Sequence, residues 1–174
     1  MEVSGIVSPV KYVMLFIALL LIQVLICNNI LLFGVAVPFI YIYFILCQPL
    51  NINQGFLLTL GFLMGFLVDL FCDTMGLNCL SCLILSATRR PVFYAYMPKE
   101  DKYLNIVPGI TSMGWDNYIK YAMTMSGIFC ILIFGIELFS FASFWRILLM
   151  ATSSALFTLL LLLATDAICN RARE

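Results

Sequence analysis

Histidine is absent from this 174-residue chain. With it go the commonest metal ligand, the usual general base near neutral pH, and every Ser-His or Cys-His catalytic arrangement. Charge is scarce too. Only 10% of residues are Asp, Glu, Lys or Arg, where a soluble domain carries about a quarter. The nine basic and nine acidic residues cancel, so no basic field invites a nucleic acid. Nor do the cysteines build a framework. There are seven, an odd number, and most lie in or beside apolar runs where a free thiol behaves as a small hydrophobe. Cys79-Leu-Ser-Cys82 has C-x-x-C spacing, but no βαβ pattern surrounds it. The first apolar run ends at Cys27-Asn28-Asn29 without a small-residue cleavage site, so it reads as a span retained in the mature protein.

What the chain has in abundance is apolar length. Hydrophobic residues make up 64% and the mean hydropathy is +1.09. Runs of spanning length predict an all-α, polytopic membrane bundle of about six helices in a single domain over 1–174. The expected spans are about 12–27, 30–47, 55–71, 77–97, 118–138 and 144–168. Pro38 falls near the middle of the second, where a proline removes a backbone hydrogen bond and kinks a helix. The stretch 89–117 is the one substantial polar segment, with Lys99-Glu-Asp-Lys102, two prolines and flanking aromatics, and reads as a loop on the membrane surface. Arg89-Arg90 reads as a cytoplasmic stop, with a lipid-headgroup or partner contact as the alternative. With the N-terminus inside, six spans place every basic residue except Arg146 on the cytoplasmic side, as the positive-inside rule requires. Glu137 and Arg146 are then expected to pair at the outer turn, and Asp166 to pair with Arg171 or snorkel to the inner interface.

One stretch stands out within the third span: Gly61-Phe-Leu-Met-Gly65-Phe-Leu-Val-Asp69-Leu-Phe-Cys-Asp73-Thr-Met-Gly76. Gly61, Gly65, Asp69 and Asp73 recur every four residues and so wind slowly along one helix face. The glycines open a groove that lets another helix approach closely. The acids lie at its outer end. Asp69 is read either as an interfacial group or as a polar contact with another helix or an ion path. Asp73, with Thr74, is read as capping the turn, and Gly76 as supplying a residue with positive φ. A catalytic carboxylate dyad needs environments that split the two pKa values and further polar company. No third polar partner or phosphate-binding motif accompanies these two, so neither an enzyme nor a bound cofactor or metal is expected.

The same run, followed by Gly76-Leu-Asn-Cys-Leu, resembles the core signature of the MreD family of bacterial rod-shape membrane proteins, a Gly-Phe-x-x-Gly-x-x-x-Asp run and then Gly-Leu. Pro38, Ser112-Met-Gly114 before an aromatic-rich helix start, and Glu137-Leu-Phe-Ser-Phe-Ala-Ser-Phe144 extend the resemblance over most of the chain, toward members from Bacteroides-type bacteria. Two positions depart from the family pattern. Phe39 stands where many relatives have an acidic or amide residue, and span five lacks the histidines of Bacteroides-type members.

The resemblance implies a fold like the substrate-binding subunits of energy-coupling-factor transporters. It also implies a non-enzymatic inner-membrane subunit that binds MreC and, through it, the glycosyltransferase RodA and its class B penicillin-binding transpeptidase partner in peptidoglycan synthesis. On that reading Gly61, Gly65, Asp69, Asp73, Gly76 and Pro38 are packing or docking residues. The glycine groove is open to either a helix of the bundle or MreC's span. Membrane lipids are the other expected partner. A substrate-binding subunit of a transporter for a small, vitamin-like molecule is the alternative.

Overall fold

Apolar runs of this length leave their backbone polar groups one economical solution inside a bilayer, the helix, which satisfies them within the segment. The computed structural model describes residues 9–27, 37–74, 76–97, 106–137 and 144–171, and among them it contains helices and no strand. The helices are α1 (Pro9–Leu25), α2 (Ile42–Leu46), α3 (Gln54–Cys72), α4 (Leu77–Tyr96), α5 (Ile110–Met113), α6 (Trp115–Glu137) and α7 (Phe144–Arg171). Among the described residues three segments are long and apolar enough to cross a membrane: Gln54–Cys72, Trp115–Gly135 and Leu148–Ile168. Val10–Leu25 adds a shorter apolar helix. The architecture fits a helical membrane protein.

Helices α3 and α4 pack against each other as a hairpin, the most extensive helix packing among the described residues. The other flank of α4 takes α6, and α6 in turn takes α7. Helix α1 lies against α3, while the short α2 touches α1, α3 and α4. The chain is buried without interruption from Pro38 to Gln48, so this segment is the centre of the bundle. Aromatic edges organise it. Phe39 meets Phe129 of α6 with ring centroids 5.2 Å apart, Tyr41 meets the same ring at 5.8 Å, and Phe16 of α1 meets Phe44 at 5.1 Å. Such edge-to-face pairs add about 0.5–1.5 kcal/mol each beyond the area they bury.

The structure corrects the sequence expectation in several places. The proline-kinked helix expected over 30–47 is not continuous over its described part. Residues 37–39 are non-helical, a turn follows at 40–41, and helix begins only at Ile42. The span expected over 77–97 is present as α4 (Leu77–Tyr96), so the surface-loop reading of 89–117 fails where the two overlap. Arg89–Tyr96 complete α4, which runs through Pro91, and α6 begins at Trp115. The side chains of Glu137, Arg146 and Arg171 lie outside the described residues, and so do the ion pairs expected of them.

Candidate functional site

The end of α3 explains why its polar residues are where they are. Asp73 occupies the left-handed region at φ 54°, and its N–H and that of Thr74 both close onto the carbonyl of Asp69. That is the Schellman-like way to stop a helix, here with an acid where glycine is usual. Gly76 follows at φ 77°, so the chain reverses and α4 starts at Leu77. A glycine at this N-cap position offers no side-chain oxygen to the first N–H groups of α4, which would be orphaned.

Asp69 supplies the missing cap from the preceding helix. Its Oδ1 accepts the backbone N–H of Asn78 at 3.1 Å, and its Oδ2 accepts that of Cys79 at 2.8 Å. The Asn78 side-chain amide donates to Oδ1 at 3.0 Å, and the Thr74 hydroxyl donates to the same oxygen. Asp69 is 5% exposed, so these donors stand in for the water its carboxyl group has lost.

The glycines belong to the same junction. A Cβ on Gly65 would fall 2.6 Å from the backbone of Asn78 and Cys79; one on Gly61 would meet the Ser86 hydroxyl and, at 3.1 Å, the Cys82 carbonyl. The groove therefore holds α4 of the same chain. Gly61, Gly65, Asp69 and Gly76 come together around the first half of α4, whereas Asp73 is exposed on the turn.

Pro38 lies in a second junction. Without helix hydrogen bonds, the N–H groups beside it are taken by side chains from distant helices. Val37 N–H donates to Ser154 Oγ at 3.0 Å and Phe39 N–H to Thr158 Oγ1 at 3.2 Å, both on one face of α7. Gln23 of α1 closes the gap. Its Oε1 accepts from Ile40 N–H and its Nε2 donates to the Pro38 carbonyl, each at 3.0 Å. Irregular backbone at membrane depth is tolerated only where protein satisfies it in this way. The Tyr41 hydroxyl, which donates to Asn78 Oδ1 at 2.7 Å, ties this junction to the first. Between the two lies a cavity of about 290 Å³ bordered by Gln23, Phe39, Thr74, Asn78 and Met150.

Toward the other end of α4, about 17 Å from Asn78 by helical rise, a third polar group gives Arg89-Arg90 partners within the bundle. Arg89 is fully buried and its guanidinium donates to the carbonyls of Leu46, Gln48 and Pro49; Arg90 donates to those of Leu50 and Ile52. Both cations thus hold the carbonyl end of α2 and the turn that follows. Asp166 is likewise buried rather than snorkelling. It accepts the Tyr43 hydroxyl at 3.1 Å and the Ile110 N–H at 2.9 Å, joining α7 to α2 and α5.

What these arrangements do chemically is satisfy backbone. Among the described residues no group of three or more His, Cys, Asp or Glu side chains is placed to hold a metal ion. Cys79 and Cys82 are free thiols, the second fully buried. Gln23, Asn78, Ser154, Thr158 and buried Arg89 were not singled out by sequence reasoning as site residues. Their signal was present as polar side chains inside apolar runs. Comparison of the chain with known protein families, with curated proteins and with solved structures finds no match.

Proposed function

We propose that this chain is a non-enzymatic subunit of the MreD type. It sits in the bacterial cytoplasmic membrane with both termini inside, and holds MreC for peptidoglycan synthesis by RodA and its class B penicillin-binding transpeptidase partner during elongation. The observation that carries the reading is the run from Gly61 to Gly76, on which the resemblance rests. Its buried acid, Asp69, commits both oxygens to the start of α4, which supports a structural role over a chemical one. The distribution of basic residues supports reading the turn it secures, with Asp73 exposed, as the outer end of the hairpin. On this reading it lies on the side where MreC's periplasmic part begins.

The test is co-purification of MreC with the full chain from detergent-solubilised membranes of cells producing both. Capture of MreC in constant ratio to the folded chain is the expected result; absence of MreC from a folded, monodisperse preparation would overturn the proposal. One observation favours a second reading, a transporter's small-molecule-binding subunit: the cavity of about 290 Å³ between the first two junctions. That reading predicts a small molecule carried through purification and released on denaturation, and it loses its support if none is found.

A further inference from the structure

The cavity of about 290 Å³ between the first two junctions lies within the bundle. Its walls come from α1, the irregular segment at Val37 and Phe39, both arms of the α3–α4 hairpin, α6 and α7. Gln23, Phe39, Val68, Asn78 and Phe134 all line it, yet none is more than 7% exposed. A gap wide enough for a helix, about 10 Å, would leave such side chains open on the outside of the chain. The walls therefore admit a small molecule and not a second helix.

Charge is missing from the lining. Among the described residues no Asp, Glu, Lys or Arg side chain borders the cavity. Asp69 is near, but both its oxygens accept from the start of α4. An ion entering here would lose its water and gain no counter-charge. A neutral molecule can be held by the hydrogen-bonding capacity left over. Gln23 uses one amide hydrogen on the Pro38 carbonyl and one lone pair on the Ile40 N–H, which leaves one of each. Asn78 uses both amide hydrogens, on Asp69 and Thr74, and its oxygen keeps one lone pair beside the one that accepts the Tyr41 hydroxyl. The remaining wall is apolar. Phe39 and Phe134 meet edge to face at 6.5 Å, and Val68, Ile133 and Met150 continue it. Water finds no partners along that wall, and a buried water needs about two to four. A cavity of about 150 Å³ takes a single benzene ring, so roughly twice that volume suits two fused rings.

We infer that this cavity binds a small uncharged molecule of two fused rings. Its rings lie against Phe39 and Phe134, and its polar edge, a donor beside an acceptor, meets Gln23 and Asn78. The inference deepens the small-molecule reading of the cavity, on which it rests, and is independent of the elongation reading. Bound there, the molecule touches both the Pro38 junction and the cap on α4, so it would fasten α1 and α7 to the hairpin.

The experiment titrates the full chain, in lipid nanodiscs, with 2-quinolinone, an uncharged bicycle that carries an N–H beside a C=O. Calorimetry against empty nanodiscs reads binding, and mass spectrometry reads alkylation of the free thiols by N-ethylmaleimide. Saturable binding is expected. Bound 2-quinolinone should slow alkylation of Cys72, which lines the cavity, severalfold and leave that of Cys79, which does not, unchanged. Quinoline-2-carboxylate, of similar size but anionic, should bind about a hundredfold more weakly. Met150→Trp, which fills the cavity from α7, should abolish binding at unchanged helix content. Cys72→Trp fills it from α3 and serves the same purpose if the first variant folds poorly. Binding that survives both tryptophans, equal binding of the carboxylate, or no binding of 2-quinolinone would overturn the proposal. Capture of the anion alone would overturn the assigned class and leave the small-molecule reading standing. If neither compound binds and denaturation releases no small molecule, that reading falls with it.

Discussion

Asp69 and Asp73 are one helical turn apart in sequence, yet the fold gives them unlike environments. Asp69 is buried and accepts two backbone N–H groups, an amide and a hydroxyl, whereas Asp73 is exposed and serves through its backbone as the left-handed residue that ends α3. Substitution should separate them. Asp69→Ala leaves the first N–H groups of α4 buried without acceptors and is expected to lower stability by about 2–4 kcal/mol. Asp73→Asn keeps a side chain that tolerates φ > 0 and should stay within about 0.5 kcal/mol of wild type. Unfolding in detergent micelles, followed by circular dichroism, checks both. Equal losses would mean that the carboxylate of Asp69 is not the cap described above.

Between elements, two devices hold the bundle. The first is the close approach of α3 to α4, where Gly65 meets backbone and Gly61 meets a hydroxyl that can rotate away, plus a carbonyl just inside ordinary contact. Gly65→Ala must push the helices apart and is expected to cost about 1–3 kcal/mol, with Gly61→Ala clearly milder, as thermal unfolding of the two variants would show. The second is the pinning of the extended segment at Pro38. Replacing Ser154 by Ala and Thr158 by Val removes the acceptors of two amides, each left unpaired at about 1–3 kcal/mol. Hydrogen exchange at Val37 and Phe39 should accelerate in that double variant while amides in the middle of α6 keep their protection. Uniform acceleration across the bundle would instead indicate global loosening.

For the molecule as a whole, the sequence was most legible where the information is local. Helices α3, α6 and α7 follow from long apolar runs, and the positive φ of Gly76 follows from glycine's ease in the left-handed region at a short helix-to-helix turn. Asp69 was legible as a polar contact with another helix but not as a cap, although its acceptor role spans only nine or ten residues. The signal was a helix start whose N-cap is a glycine, leaving the cap to be found elsewhere. The segment at Pro38 was misread because what stabilises its irregular backbone comes from Gln23, 15 residues earlier, and Ser154, 117 residues later. The burial of Arg89 was not legible for a similar reason. A guanidinium buried against carbonyls some 40 residues away looks in sequence like any basic stop at a membrane edge.

At this scale Asp69, Arg89, Ser154 and Thr158 hold backbone in place, and binding is the activity the proposal assigns. The most direct test is to supply an Asp69→Asn, Asp73→Asn double variant to rod-shaped bacteria lacking their own MreD-type protein. Cell shape and captured MreC are then measured against the amount of folded protein. The proposal predicts that both fall only as far as folded protein falls, with rods restored where its level is restored. A variant that is folded, abundant and bound to MreC yet leaves the cells round would contradict it, because the acids would then be doing chemistry.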